Sequence, residues 1–274
     1  MTVACTGIVI VDGWLDGSLT SATTDDRSVQ ATLVALLVAA ALGLGCVELS
    51  RLAAGKGLTV LNPASALGVI LLATSWYWPQ IVPLDRGSWI LGVMVLALLG
   101  VFLQHYLRFG TNDVLNNCGI SCFAMIYLGL LGSFVLAVRI EFGLWEMFTV
   151  ICVVKASDIG AYTFGRIFGK HKLAPRVSPG KTWEGMAGAM VAAMVLSFAF
   201  ARGFGIMSAW PALVFGACLA VVGQFSDLVE SMLKRDAGRK DSAKCVPGFG
   251  GILDVIDSPL FATPFAYVFF KLVA

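Results

Sequence analysis

Apolar runs long enough to cross a bilayer recur along almost the whole chain, and they leave few folds open. A hydrocarbon core about 30 Å thick takes about 20 apolar residues per helical crossing. Runs near Gln30–Leu49, Leu58–Trp78, Ser88–Leu107, Cys118–Val138, Leu144–Gly165, Gly185–Ala201, Ala209–Ser226 and Asp257–Val273 meet that need. The expected fold is an all-α polytopic integral membrane protein with about eight transmembrane helices. Trp76, Tyr77, Trp78, Trp89 and Tyr106 fall near run ends, where amphipathic rings settle at the headgroup level. Composition excludes the alternatives. Charged residues are 13% and hydrophobic ones 58%, against roughly a quarter charged in a soluble domain, and mean hydropathy is +0.86. Disorder needs few apolar residues and a high net charge, whereas 19 basic side chains here face 17 acidic ones. A net charge of +2 gives no reason to expect a nucleic-acid partner.

Orientation follows from the basic residues, which are retained on the cytoplasmic side in short loops. With the N-terminus outside, the inner loops hold Arg51, Lys56, Arg108, Arg166, Lys170, Lys172, Arg176, Lys181, Lys234, Arg235, Arg239, Lys240 and Lys244. The reversed topology would put both basic clusters outside. Residues 1–29 read as a polar outer tail or the remnant of a first helix, because the apolar stretch Gly7–Val11 is broken by Asp12 and Asp16. Residues 30–143 then form the N-terminal helices, and 144–274 a catalytic region with cytoplasmic loops at 165–184 and 227–257. The cysteines form no C-x-x-C pair and read as small packing residues. Two histidines do not support a histidine zinc site.

Chemistry concentrates in those two loops. Lys155 and Asp158 fall within the fifth run, at a spacing that lets them face each other on a helix. A charge at the bilayer centre costs roughly 2.5–3.5 kcal/mol, so the pair needs partners or a water-filled cavity; a self-neutralising ion pair is the plainer reading. Ser178–Pro–Gly–Lys–Thr182 resembles part of a nucleotide-binding P-loop, but Pro175 stands where that motif needs glycine and no strand is expected before it. What is left is a turn with Lys181 and Thr182 entering the next helix, suited either to an anion at a helix start or to a basic anchor. In the second loop Asp227, Glu230, Ser231 and Lys234 share one helix face, and Asp254 and Asp257 share another. Carboxylates gathered in this way repel unless cations intervene, and oxygen ligands suit Mg²⁺ with substrate phosphates. A solvated acidic helix start is the competing reading. The glycine-rich turn Pro247–Gly251 permits close backbone approach.

At these residues the chain resembles a known family. Ser231–Asp257, with the sequence SMLKRDAGRKDSAKCVPGFGGILDVID, is similar to the signature of the phosphatidate cytidylyltransferases, or CDP-diacylglycerol synthases. Asp158–Tyr162 and Phe168–Gly185 agree with it, and Glu48 is a weaker match. The resemblance implies a polytopic enzyme, usually with nine spans. It joins CTP to phosphatidic acid with a divalent cation and releases pyrophosphate. It points to Asp227, Lys234, Asp241, Asp254 and Asp257 as catalytic residues. Asp227, Asp241, Asp254 and Asp257 would hold Mg²⁺. Asp158, Lys170, Lys172, Ser178, Lys181, Ser231, Arg235, Lys240, Gly248, Gly250 and Gly251 would bind substrate. Phe249 replaces a usual histidine and Val255 a usual arginine, which removes a bidentate phosphate clamp. The implied setting is the cell (inner) membrane with the active site at the cytoplasmic face, among membrane lipids; a homodimer is compatible with it. Three other readings stay open: a related enzyme on an isoprenoid-type lipid phosphate, a weakened family member, and an ion or solute transporter.

Overall fold

The computed structural model describes residues 2–16, 29–239 and 251–273. They fall into two compact units, one within Met1–Leu144 and Asp241–Asp254, the other within Trp145–Lys240 and Val255–Ala274.

The first unit opens with α1 (Thr2–Leu15) and α2 (Thr32–Ala54), followed by the short α3 (Ala64–Ala73). After α4 (Arg86–Phe109) come α5 (Val114–Ala124), a π-helical turn at Met125–Leu130, and α6 (Phe134–Glu141). The last three together make one candidate crossing, Val114–Glu141. Asp85 starts α4 by accepting the Ser88 backbone N–H at 2.9 Å, one of the donors that a helix start leaves without a partner.

One expectation is corrected in this unit. The run Leu58–Trp78 does not form one span: its helix holds only ten residues and gives way to a 3₁₀ turn at Trp78–Gln80. Among the described residues seven helices, against about eight expected, are long and apolar enough to cross a membrane. The N-terminal stretch was expected as a polar outer tail or the remnant of a first helix. Residues Thr2–Leu15 are helical, and Asp12 and Asp16 both reach the guanidinium of Arg139, which is 1% exposed. Asp12 Oδ1 also accepts the backbone N–H of Leu33 at 2.8 Å and of Val34 at 3.4 Å. It supplies the cap that α2 lacks from its own Ala31.

The second unit contains α7 (Leu144–Phe168), a hairpin of β1 (Lys172–Ala174) and β2 (Ser178–Thr182), α8 (Trp183–Phe204) and α9 (Ala209–Asp236). Most of α10 (Leu253–Val273) also belongs to it, from Val255 onward. The hairpin revises the expected loop at 165–184. Its strands are antiparallel, pairing Lys172 with Thr182 and Ala174 with Ser178. A strand therefore does precede Ser178–Thr182, but that segment is itself the partner strand, so no P-loop forms. Glycines set the helix spacing: a Cβ on Gly160 of α7 would lie 2.6 Å from the Gly188 carbonyl oxygen of α8. One on Gly216 of α9 would lie 2.6 Å from that of Ala193. Such close backbone approach is how membrane helices gain packing contact where lipid and leucine are equally apolar.

Candidate active site

The polar side chains of the second unit converge at one end of α8. Thr182 has extended backbone and caps that helix, its Oγ1 accepting the Gly185 N–H at 3.1 Å. The residue before it, Lys181, leaves the hairpin pointing at α9. Its ammonium donates to Asp227 Oδ2 at 3.1 Å and to the Gln224 carbonyl at 3.0 Å. The end of α9 returns to the hairpin, where Arg235 Nε donates to the Val177 carbonyl at 3.4 Å.

Ser258 of α10 ties three carboxylates together. Its hydroxyl lies 2.7 Å from Asp227 Oδ1, 3.2 Å from Asp257 Oδ1 and 3.5 Å from Asp158 Oδ2. One hydroxyl has one proton, and the shortest contact marks Asp227 as its acceptor. Asp257 is held from two sides: its carboxylate accepts the Ser258 N–H at 2.6 Å, and its backbone carbonyl accepts the Ser226 hydroxyl. The expected pair on α7 is present, with Lys155 Nζ 3.4 Å from Asp158 Oδ2. Asp158 Oδ1 is buried and has no hydrogen-bond partner among the described residues, an expensive state for a carboxylate oxygen. One turn beyond Asp227, Glu230 and Lys234 form a pair at 2.7 Å with side chains only 3% and 13% exposed.

These groups line or adjoin a cavity of about 350 Å³, whose walls include Asp158, Tyr162, Arg166, Lys181, Gln224 and Asp227. Small residues Gly165, Gly180 and Gly185 also line it and leave room for a ligand. Cationic, anionic and hydroxyl groups thus face one space, an arrangement that can hold a phosphorylated ligand and a cation together.

The sequence-derived site is only partly assembled here. Asp158, Lys181, Asp227 and Asp257 come together; Lys170 and Lys172 are exposed on or beside the hairpin, and Ser178 begins β2. Ser231 lies half-buried on α9. Gly251 and Asp254 belong to the first unit, where the Gly251 N–H donates to Asp254 Oδ2 at 2.9 Å. Glu48 there accepts the N–H groups of Ile252 and Leu253, each at 2.9 Å, and so caps the start of α10. Lys240, Asp241, Gly248, Phe249 and Gly250 lie outside the described residues. Among the described residues, no three His, Cys, Asp or Glu side chains group as a metal cage. The sequence reading omitted Ser258, Gln224, Tyr162 and Arg166 from the site. The Arg166 to Tyr162 spacing of one helical turn was a usable signal; the other two are recruited across helices.

A profile of the cytidylyltransferase family matches residues 27–273. The phosphatidate cytidylyltransferase of Staphylococcus saprophyticus is 33% identical over 214 residues, covering 76% of this chain and 78% of its own. That of Haemophilus influenzae is 31% identical over 258 residues, covering 76% and 89%. That of Bacillus subtilis is 34% identical over 236 residues, covering 82% and 84%.

Proposed function

This chain belongs to the cytidylyltransferase family, and from that premise we propose that it transfers the cytidylyl group of CTP to phosphatidic acid, giving CDP-diacylglycerol and pyrophosphate. The observation that carries the reading within the structure is the Lys181–Asp227–Ser258–Asp158 cluster beside the cavity. An oxygen of the lipid phosphate attacks the α-phosphorus of CTP. A new oxygen–phosphorus bond forms, the bond to the β-phosphate bridge breaks, and pyrophosphate leaves. Such a transfer rests on positioning and electrostatic stabilisation rather than on a covalent enzyme intermediate.

Lys181 supplies the positive charge nearest the carboxylates, and Lys170 and Lys172 extend it along the hairpin side for the triphosphate. Ser258 fixes the rotamer of Asp227, and the paired Glu230 and Lys234 keep the next turn of α9 neutral. The unpartnered oxygen of Asp158 beside Asp227 fits a divalent cation, since Mg²⁺ commonly takes one or two carboxylates and fills its shell with water and phosphate. Asp158 and Asp227 would hold it, with Asp257, Asp241 and Asp254 as further acids. When bound, it neutralises charge on the departing pyrophosphate. The basic hairpin and the basic end of α9 are separated by two crossings and therefore face one side, which the excess of Lys and Arg makes cytoplasmic. A cell-membrane location follows from the same reading.

Purified protein given labelled CTP, Mg²⁺ and phosphatidic acid should release CDP-diacylglycerol and pyrophosphate in equal amounts. Product only with an isoprenoid phosphate would move the substrate, and no product with any lipid phosphate would overturn the reaction.

A further inference from the structure

The cavity mouth carries an arginine that the reaction outlined above leaves without a task. Arg166 stands in the last turn of α7, and its guanidinium donates to the Tyr162 hydroxyl at 2.8 Å while lying 5.9 Å from the centre of that ring. Both side chains line the space that Asp158, Lys181 and Asp227 also line. Among the described residues Arg166 makes no ion pair. Tyrosine engages one of its five donors, so most of a planar fork suited to paired phosphate oxygens stays available.

What surrounds the fork selects among phosphates. Ile159, Tyr162 and Arg166 follow one another at i, i+3 and i+7 and so share one face of α7. Ile159 is 66% and Tyr162 65% exposed on a helix apolar enough to cross a membrane. A ligand that reaches the fork along this face meets hydrocarbon-compatible surface first and cation last. A soluble triphosphate gains nothing from that sequence of surfaces; a phosphate monoester on acyl chains matches both ends. Lys181, by contrast, already donates to Asp227 and to the Gln224 carbonyl.

We propose that Arg166, oriented by Tyr162, binds the phosphate monoester of the lipid substrate and thereby sets the angle at which its oxygen approaches the nucleotide. The inference rests on the phosphatidate reading of the reaction. The test uses full-length protein in phosphatidylcholine nanodiscs, with KM measured separately for phosphatidic acid and for CTP. Arg166→Gln should raise the KM for phosphatidic acid roughly tenfold or more, the worth of a charge-assisted contact, with the KM for CTP unchanged. Arg166→Lys should recover only part of the loss, because a point charge lacks the fork, and Tyr162→Phe should fall between it and the unaltered protein. A rise in the KM for CTP alone, or no change in either, would overturn the proposal. Where turnover is too slow to measure, direct binding decides: phosphatidic acid lost with CTP retained supports it, and phosphatidic acid retained overturns it. Phosphatidic acid bound through Arg166 by a protein that makes no CDP-diacylglycerol would instead remove the reaction and leave the lipid site standing.

Discussion

At the scale of single residues, the site works by sharing. Ser258 has one proton for three carboxylates, and Lys181 divides its charge between a carboxylate and a backbone carbonyl, so each acid depends on its neighbours for orientation. Asp227 is the member that touches both Lys181 and Ser258. Asp227→Asn should lower kcat by roughly 10²–10³-fold, the range for losing a preorganised electrostatic group, with an unchanged gel-filtration profile. A fully active, folded Asp227→Asn protein would remove Asp227 from the machinery. The i, i+3 pairing of Lys155 with Asp158 was legible in the sequence because a helix places those positions together. Ser258 was not, since nothing in a lone serine beside Asp257 announces that residues 31 and 100 positions away will meet its hydroxyl.

Among the elements, long apolar helices were readable and short or polar ones were not. The run Leu58–Trp78 had the composition of a span, yet Pro63 and the Trp76–Trp78 cluster delimit a helix half as long. The hairpin Lys172–Thr182 lacks the alternation that marks a half-buried strand, because its positions are largely charged, proline or glycine. At the end of α1 the two aspartates, Asp12 and Asp16, looked like interruptions of an apolar stretch. Four residues apart, they instead lie close enough on one side to meet Arg139, and Asp12 also caps α2. A buried charge that loses its partners is costly, so Arg139→Met, which strands both acids, should destabilise the protein by about 3–5 kcal/mol. Thermal unfolding in detergent micelles would show this as a large drop in Tm. An unchanged Tm would mean that α1 contributes nothing to the stability of the first unit.

For the whole molecule, the reading of sidedness depends on which helices cross. With seven candidate crossings among the described residues in place of eight expected, one fewer precedes the hairpin, so a cytoplasmic hairpin goes with a cytoplasmic start of α2 and not with the outer one expected. The helices α8 and α9 remain the two crossings between the hairpin and the basic end of α9, so these still share a side. A single-cysteine reporter at the hairpin tip, Arg176→Cys in a background without the native cysteines, should react with an impermeant maleimide in inside-out vesicles and stay unlabelled in intact cells. The opposite pattern would invert the topology. The short α3 has a bearing on biosynthesis. A helix of ten residues rises about 15 Å, half the hydrocarbon thickness, too little to partition into lipid on its own hydrophobicity. Its Gly68 and Val69 pack against Met125 and Gly129 of the π turn, residues synthesised more than fifty positions later. Burial of this segment is therefore completed only after Met125–Gly129 have been made: α2 offers it a first partner, through Gly43 against Ile70, and the rest arrive later, so that the order of synthesis differs from the order of burial.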